Sequence, residues 1–251
     1  MLEEEQKENS QIINKNYFVG LDIGTTKIVC LVGSKNEYGK LKILGYGKAQ
    51  SIGVKRGVVV NIVQTIESIK HAVKIAKEDA NIDIKNVSVG IAGQHIRSLQ
   101  HIDYINREDE EKIIDQEDLN NLEQNVSRLR LEPGEDILHI IPQEYKIDQQ
   151  SNILEPIGMC GSKLEANFHV VSGQTSAIRN IQRCVVDAGL SISSINLEPL
   201  ASSSAVLSQE EKDAGVVLVD IGGGTTDIAI FKDGRIRHTA VIPFGGNIIT
   251  S

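Results

Sequence analysis

Cysteine is scarce and scattered in this chain. The three residues Cys30, Cys160 and Cys184 include no Cys-x-x-Cys pair, which excludes a zinc knuckle and a disulfide framework and fits a reduced, cytoplasmic setting. The six histidines fall at no His-x-x-x-His or similar ligand spacing, so a structural metal site of Cys or His is not expected. No stretch approaches the ~18 consecutive apolar residues of a membrane span. The opening MLEEEQKENSQIINKN lacks the apolar core of a signal peptide and reads as a flexible acidic tail over residues 1–16. Basic charge is also short: 26 Lys and Arg against 34 Asp and Glu leave a net charge of −8, which argues against general affinity for nucleic acid or anionic lipid. There is no G-x-x-x-x-G-K-[ST], and no G-x-G-x-x-G opens a helix after a strand, so P-loop and dinucleotide chemistry are disfavoured.

What remains is an ordinary globular composition, 40% hydrophobic and 24% charged over 251 residues, long enough for one large or two smaller domains. Phe18–Ile23 and Lys27–Val32 are apolar, β-branched runs around GTT, the form of a tight hairpin. Leu41–Ala49 continues as a strand. A helix follows Asn61, a suitable N-cap, with Ile62, Ile66, Ile69, Val73 and Ala76 on one face. Val87–Ile91 reads as a buried strand.

From Gln94 to Glu165 charge is denser. Leu119, Leu122, Val126 and Leu129 mark a helix there, and ILHIIPQEYKID reads as a half-buried strand with Pro142 at an edge or bulge. ANFHVVS resumes the buried-strand texture. SAIRNIQRCVVDAGL reads as a helix closed by Gly189, and SISSINL as a strand leading into a helical EPLASSSAVL. VVLVDIGGGTTDIAIF then repeats the first hairpin. Strands alternating with helices around a recurring hairpin predict an α/β fold built from a duplicated unit. The closing PFGGNIITS reads as an unfinished element of a longer protein.

The two glycine turns carry the chemistry. Gly24, and Gly222, Gly223 and Gly224, lack a Cβ and let a bulky anion lie against the backbone, where successive N–H groups form an anion-binding concavity. Thr25, Thr26, Thr225 and Thr226 add hydroxyl donors, and Lys27 a compact positive charge. Asp22 and Asp220 would repel a bare phosphate, so their presence points to a hydrated Mg²⁺ between acid and nucleotide. Asp227 either joins them or braces the turn. One such turn is also what an ordinary hairpin uses; two copies with the same acid placement point to a paired phosphate site.

The pair resembles the phosphate motifs of the actin-like ATPase superfamily, with its ribonuclease H-like fold, a group that includes sugar kinases, DnaK-type chaperones, MreB and actin. GLDIGTTKI is similar to the first motif and LVDIGGGTTDIAI to the second. LHIIPQEYKID, PIGMCGSKLEANFHVV and the run from GLSISSINLEPLASSS to PFGGNIITS closely resemble the FtsA family of bacterial cell division, and the likeness extends from about Phe18 to Ser251. It implies a first actin-like domain over 17–85 and 171–212, an inserted α+β subdomain over 86–170, and the incomplete start of a second actin-like domain over 213–251.

The resemblance further implies a protein that binds ATP with Mg²⁺ and joins other divisome proteins. It would self-associate into filaments through the insert, dock the tail of the tubulin homologue FtsZ, and sit on the cytoplasmic face of the membrane at the division site. The FtsZ-binding region and the membrane helix would follow Ser251. Nucleotide would act as an assembly ligand more than as a substrate for hydrolysis. By likeness to MreB and DnaK-type ATPases, Glu198 could orient an attacking water; alternatively it only opens a helix, with Pro199 at the first helical position. Gly245 and Gly246 would add donors at a helix N-terminus facing the phosphates. Two alternatives from the same superfamily are a sugar or acetate kinase, for which no substrate-binding acid is evident, and an adaptor of the pilus-assembly type.

Overall fold

The computed structural model describes residues 17–107 and 113–250; the expected acidic tail lies outside them. Strands β1 (Tyr17–Ile23) and β2 (Lys27–Lys35) form the first hairpin, and β3 (Leu41–Gln50) adds to it antiparallel. A two-strand ribbon of β4 (Val54–Lys55) and β5 (Val58–Val59) leads to α1 (Ile62–Ala80). Asn61 caps that helix by accepting the Gln64 N–H, and Asn81 ends it in the left-handed region at φ 53°. Parallel strands β6 (Asn86–Ile91) and β11 (Ser191–Leu197) complete a five-stranded sheet in the order β11-β6-β1-β2-β3. Ile69, Ala72, Val73 and Ala76 of α1, with Ile178, Ile181 and Val185 of α3 (Thr175–Asp187), pack against Leu21, Ile28, Val32, Val87 and Val89 of this sheet. Gly189 closes α3 at φ 89°.

Between β6 and α3 the chain builds a second sheet. Strands β7 (Ile96–Asn106), β8 (Glu135–Ile147), β9 (Gln150–Ile153) and β10 (Lys163–Gln174) lie antiparallel in the order β7-β10-β8-β9, with α2 (Gln116–Ser127) across them. Phe168, Leu164, Leu122 and Val126 are fully buried in its own core. Asp115 and Asp118 cap α2 reciprocally, and Asp118 pairs with the buried Arg107 at 3.2 Å. Pro142 sits beside a bulge, where the pairing of β8 with β10 shifts between Glu144 and Pro142.

Residues 86–91, expected to open the inserted unit, instead form β6 inside the five-stranded sheet, and β10 runs past residue 170 as one strand. The alternating burial of β6 and the denser charge from Gln94 separate strand from insert; the boundary at residue 86 is the one the resemblance implies.

After β11 come α4 (Glu198–Val206) and α5 (Gln209–Ala214), then a meander of β12 (Val216–Ile221), β13 (Thr226–Lys232) and β14 (Arg235–Ile242), and the short α6 (Gly246–Ile249). Ala229, Phe231 and Ile236 form a small core under α4 and α5 with Leu200, Leu207 and Leu218. On β12 the other face is open, with Val217, Val219 and Ile221 at least half exposed.

The inserted sheet rests on β14 through a polar seam. Ser98 donates to the Thr239 carbonyl, Gln100 donates to the Arg237 carbonyl, and the buried His169 lies between Gln100 and the Thr239 hydroxyl at 3.2 Å each.

Candidate functional site: two hairpins and four carboxylates

The two hairpins are built alike. In each, the N–H of the first turn glycine donates to a carbonyl three residues on: Gly24 to Lys27 at 3.1 Å, Gly222 to Thr225 at 2.9 Å. Counted from that bond, Thr25 corresponds to Gly223, Thr26 to Gly224 and Lys27 to Thr225, while Asp22 and Asp220 stand at the same place two residues before the turn. Matching letters instead of hydrogen bonds would align the threonine pairs with each other, and that alignment is off by two positions.

The tips meet head to head. A Cβ on Gly223 would collide with the Thr26 side chain, and one on Gly224 would stand 2.7 Å from Thr25 Oγ1. The middle positions of one turn therefore pack on the middle positions of the other, threonine against glycine. The bare backbone expected to receive phosphate here receives the opposite turn, and a phosphate chain could lie between the tips only if they part. Gly222 also accepts the N–H of Gly246 at 2.9 Å, and Gly223 that of Asn247 at 3.1 Å. The donors expected around Gly245 and Gly246 to face a phosphate are thus spent, as far as Gly246 is concerned, on holding the second turn in shape. Thr226 donates its hydroxyl to the Phe244 carbonyl and is buried, as is Thr225.

Behind the tips, carboxylates converge from four elements. Asp22 lies one residue before the end of β1, Asp220 one before the end of β12, Asp227 is the second residue of β13, and Glu198 opens α4 with Pro199 at the second helical position. Glu198 lies against Gly90 of β6, where a Cβ would come within 3.1 Å of its side chain, so glycine there makes room for the acid. Asp22, Glu198 and Asp220 line a cavity of about 350 Å³ with Ser88, Gly90, Asn196 and Ser202.

Burial and crowding shift the acids together. Burial pushes Glu198 well above the ordinary glutamate range, and the charges of Asp22, Asp227 and Asp220 push it further. Asp22 is raised by burial and by Asp220, with Lys27 pulling the other way. Asp227 is raised to about 6 by burial, against a hydrogen bond from Thr225 and with added repulsion from Asp220. One oxygen of Asp227 is buried without a partner, and Ser202 donates to Asp220 at 2.9 Å.

Such a set of hard oxygen donors, short of positive charge, has the chemistry of a divalent-cation site. Among the described residues no three His, Cys, Asp or Glu side chains are grouped to hold an ion directly.

Gly90 and Ser202 carried no signal as site residues. Ser202 is one of three serines in a helical run, and Gly90 is a glycine in a strand. Only the fold shows that they bound the cavity.

A duplicated strand-turn-strand unit whose two turns face each other beside a cavity, one in the five-stranded sheet and one in the three-stranded sheet β12-β13-β14, defines the actin-like ATPase fold. Of solved structures, the chain is similar to a PilM–PilN type IV pilus biogenesis complex, with a TM-score of 0.68 at 14% identity over 93% of this chain and 63% of that one. It is also similar to the ethanolamine utilization protein EutJ of Carboxydothermus hydrogenoformans, with a TM-score of 0.50 at 21% identity over 99% and 63%. Those identities carry the fold alone.

Sequence carries the rest. Residues 93–172 match the family model of the SHS2 domain inserted in FtsA, and residues 217–251 that of the cell division protein FtsA. The chain is 43% identical to cell division protein FtsA of Neisseria meningitidis over 94% of this chain and 56% of that protein. It is 46% identical to the one from Pseudomonas aeruginosa over 93% and 55%, and 36% identical to that of Escherichia coli K12 over 95% and 56%. The chain belongs to the FtsA family, and it spans about half the length of the curated relatives it matches.

Proposed function

We propose that this chain is the nucleotide-gripping part of an FtsA-type cell-division protein, which binds ATP with Mg²⁺ and uses it as a switch for assembly. The observation that carries the reading is the convergence of Asp22, Asp220, Asp227 and Glu198 behind two facing glycine-threonine turns. Magnesium, when bound, would shield the phosphate charge. Asp22 and Asp220 would hold its water ligands. Lys27 and the hydroxyls of Thr25 and Thr26 would hold phosphate oxygens once the tips part. Glu198 opens α4, and toward a bound nucleotide it would orient a water.

The division role rests on the family. Self-association into filaments through the inserted sheet is supported by its own core, its exposed β7 residues Ile102 and Tyr104, and the repeating contacts a heterologous surface generates. Docking of FtsZ, contact with other divisome proteins and tethering to the membrane belong to the protein as a whole. Among the described residues no helix is long and apolar enough to cross a membrane.

The test is capture of an FtsZ C-terminal peptide by the full-length protein in Mg-ATP. Binding supports the reading. Failure with a clean FtsZ peptide, together with capture of a pilus-assembly partner peptide, would replace it with the adaptor alternative.

A further inference from the structure

We infer that His139, on the inserted sheet, is a positioning residue for Glu198: its neutral imidazole holds the corner from which α4 and that carboxyl depart. The corner needs such a hold. Leu197 ends β11 and occupies the N-cap position of α4, yet no side chain caps that helix, so its first N–H groups lack the usual local acceptor. The backbone N–H of Leu197 instead donates to His139 Nε2 at 3.1 Å, across 58 positions of sequence. Nε2 can accept only while it carries no proton, and burial holds the His139 pKa below its ordinary value.

Leu197 is itself buried, at 1% exposure, so without the imidazole its N–H would be an unsatisfied buried donor, a loss of about 1–3 kcal/mol. A corner free to relieve that loss would rotate the next residue, Glu198. Gly90 lies under the Glu198 side chain, and the charges of Asp22, Asp227 and Asp220 act on its carboxyl. The acid is therefore held in a costly place, close to like charges, by backbone anchors upstream, and His139 is the anchor that comes from outside the five-stranded sheet. The inserted subdomain thereby touches the carboxylate cluster through one directional bond, and whatever moves β8 moves Glu198.

The role of Glu198 toward water rests on the nucleotide reading above, but its placement does not, and the experiment needs no nucleotide. With Glu198 assigned from Glu198→Gln, the nuclear Overhauser effect between the Glu198 γ protons and the Gly90 α protons is followed by NMR in three proteins. In the wild type the contact is present. In His139→Leu, which removes the acceptor and keeps bulk, it is lost as the side chain leaves its place over Gly90. In His139→Gln, whose side-chain oxygen can accept the same N–H, the contact returns; a purely packing role would not distinguish Gln from Leu in this way. An unchanged Glu198–Gly90 contact in a folded His139→Leu overturns the inference. Should that variant not fold, the ¹⁵N–¹⁵N coupling across the hydrogen bond between Leu197 and His139 in the wild type decides: its detection supports the anchor and its absence overturns it.

Discussion

Acidification should weaken this protein at one identifiable seam, where His169 of the inserted sheet meets β14. His169 is 1% exposed. It accepts from Gln100 at Nδ1 and donates to Thr239 from Nε2, which requires the neutral ring. Burial, with added repulsion from His238, lowers its pKa from 6.5 to about 4. A histidine whose folded pKa is depressed contributes nothing to pH dependence above its unfolded pKa, and it costs stability as pH falls from there toward the folded pKa, because only the unfolded chain takes up the proton. The full effect is roughly 3 kcal/mol below pH 4, and at pH 5 about 2 kcal/mol is already lost. The carboxylates Asp22, Glu198 and Asp227 work in the opposite sense over part of the same range, so the raw pH curve mixes the two. His169→Gln isolates the seam, since an amide can accept from Gln100 and donate to Thr239 without titrating. Urea unfolding of both proteins at about pH 7.5 and pH 5 should show a difference in stability that shifts by about 2 kcal/mol in favour of the variant at the lower pH. A difference that stays constant within a few tenths of a kcal/mol would refute a neutral, buried His169.

The same reasoning applies to other positions. Asp227→Asn should stabilise the protein by up to about 3 kcal/mol above pH 6, because a carboxyl raised from 3.8 to about 6 costs stability as pH rises between those values and bears the full cost above them; a lower thermal midpoint at neutral pH would contradict this. Gly223→Ala should destabilise by about 1–3 kcal/mol in urea melts as a methyl is driven against Thr26, whereas Gly20→Ala, whose Cβ meets nothing within 4 Å, should change little. Phe168→Ala, in the core of the inserted sheet, should cost about 3–5 kcal/mol, and a loss below 1 kcal/mol would show that this core does not hold the sheet.

Much of the fold was legible because its signals are local. Asn61 before a helical stripe, Gly189 after another, and two copies of an acid-glycine-threonine turn each specify their element within a few residues. Pro142 marked its bulge for the same reason. What stayed hidden depends on distant partners. The boundary of the insert depends on pairing: β6 lies parallel between β1 and β11, a placement its own alternation does not reveal. The glycines of the second turn were read as space for a ligand, when in this arrangement the space is filled by Thr25 and Thr26 from about 200 positions earlier in the chain. Gly246 was read as an open donor and is bonded to the neighbouring turn. The acids Asp22, Asp220, Asp227 and Glu198 are evident in the sequence, but their mutual crowding, and the holds exerted by Ser202, Gly90 and His139, exist only once β1, α4, β12 and β13 meet.

The central claim, that the two hairpins and their acids bind a nucleotide through Mg²⁺, is tested most directly by calorimetric titration of ATP into the full-length protein with and without Mg²⁺, alongside Asp220→Ala and Gly223→Val. The account predicts binding that depends on Mg²⁺, is weakened by removal of the Asp220 carboxyl, and is blocked by a side chain at position 223. Affinity that is indifferent to Mg²⁺ and unchanged in both variants would show that the hairpins are architecture alone.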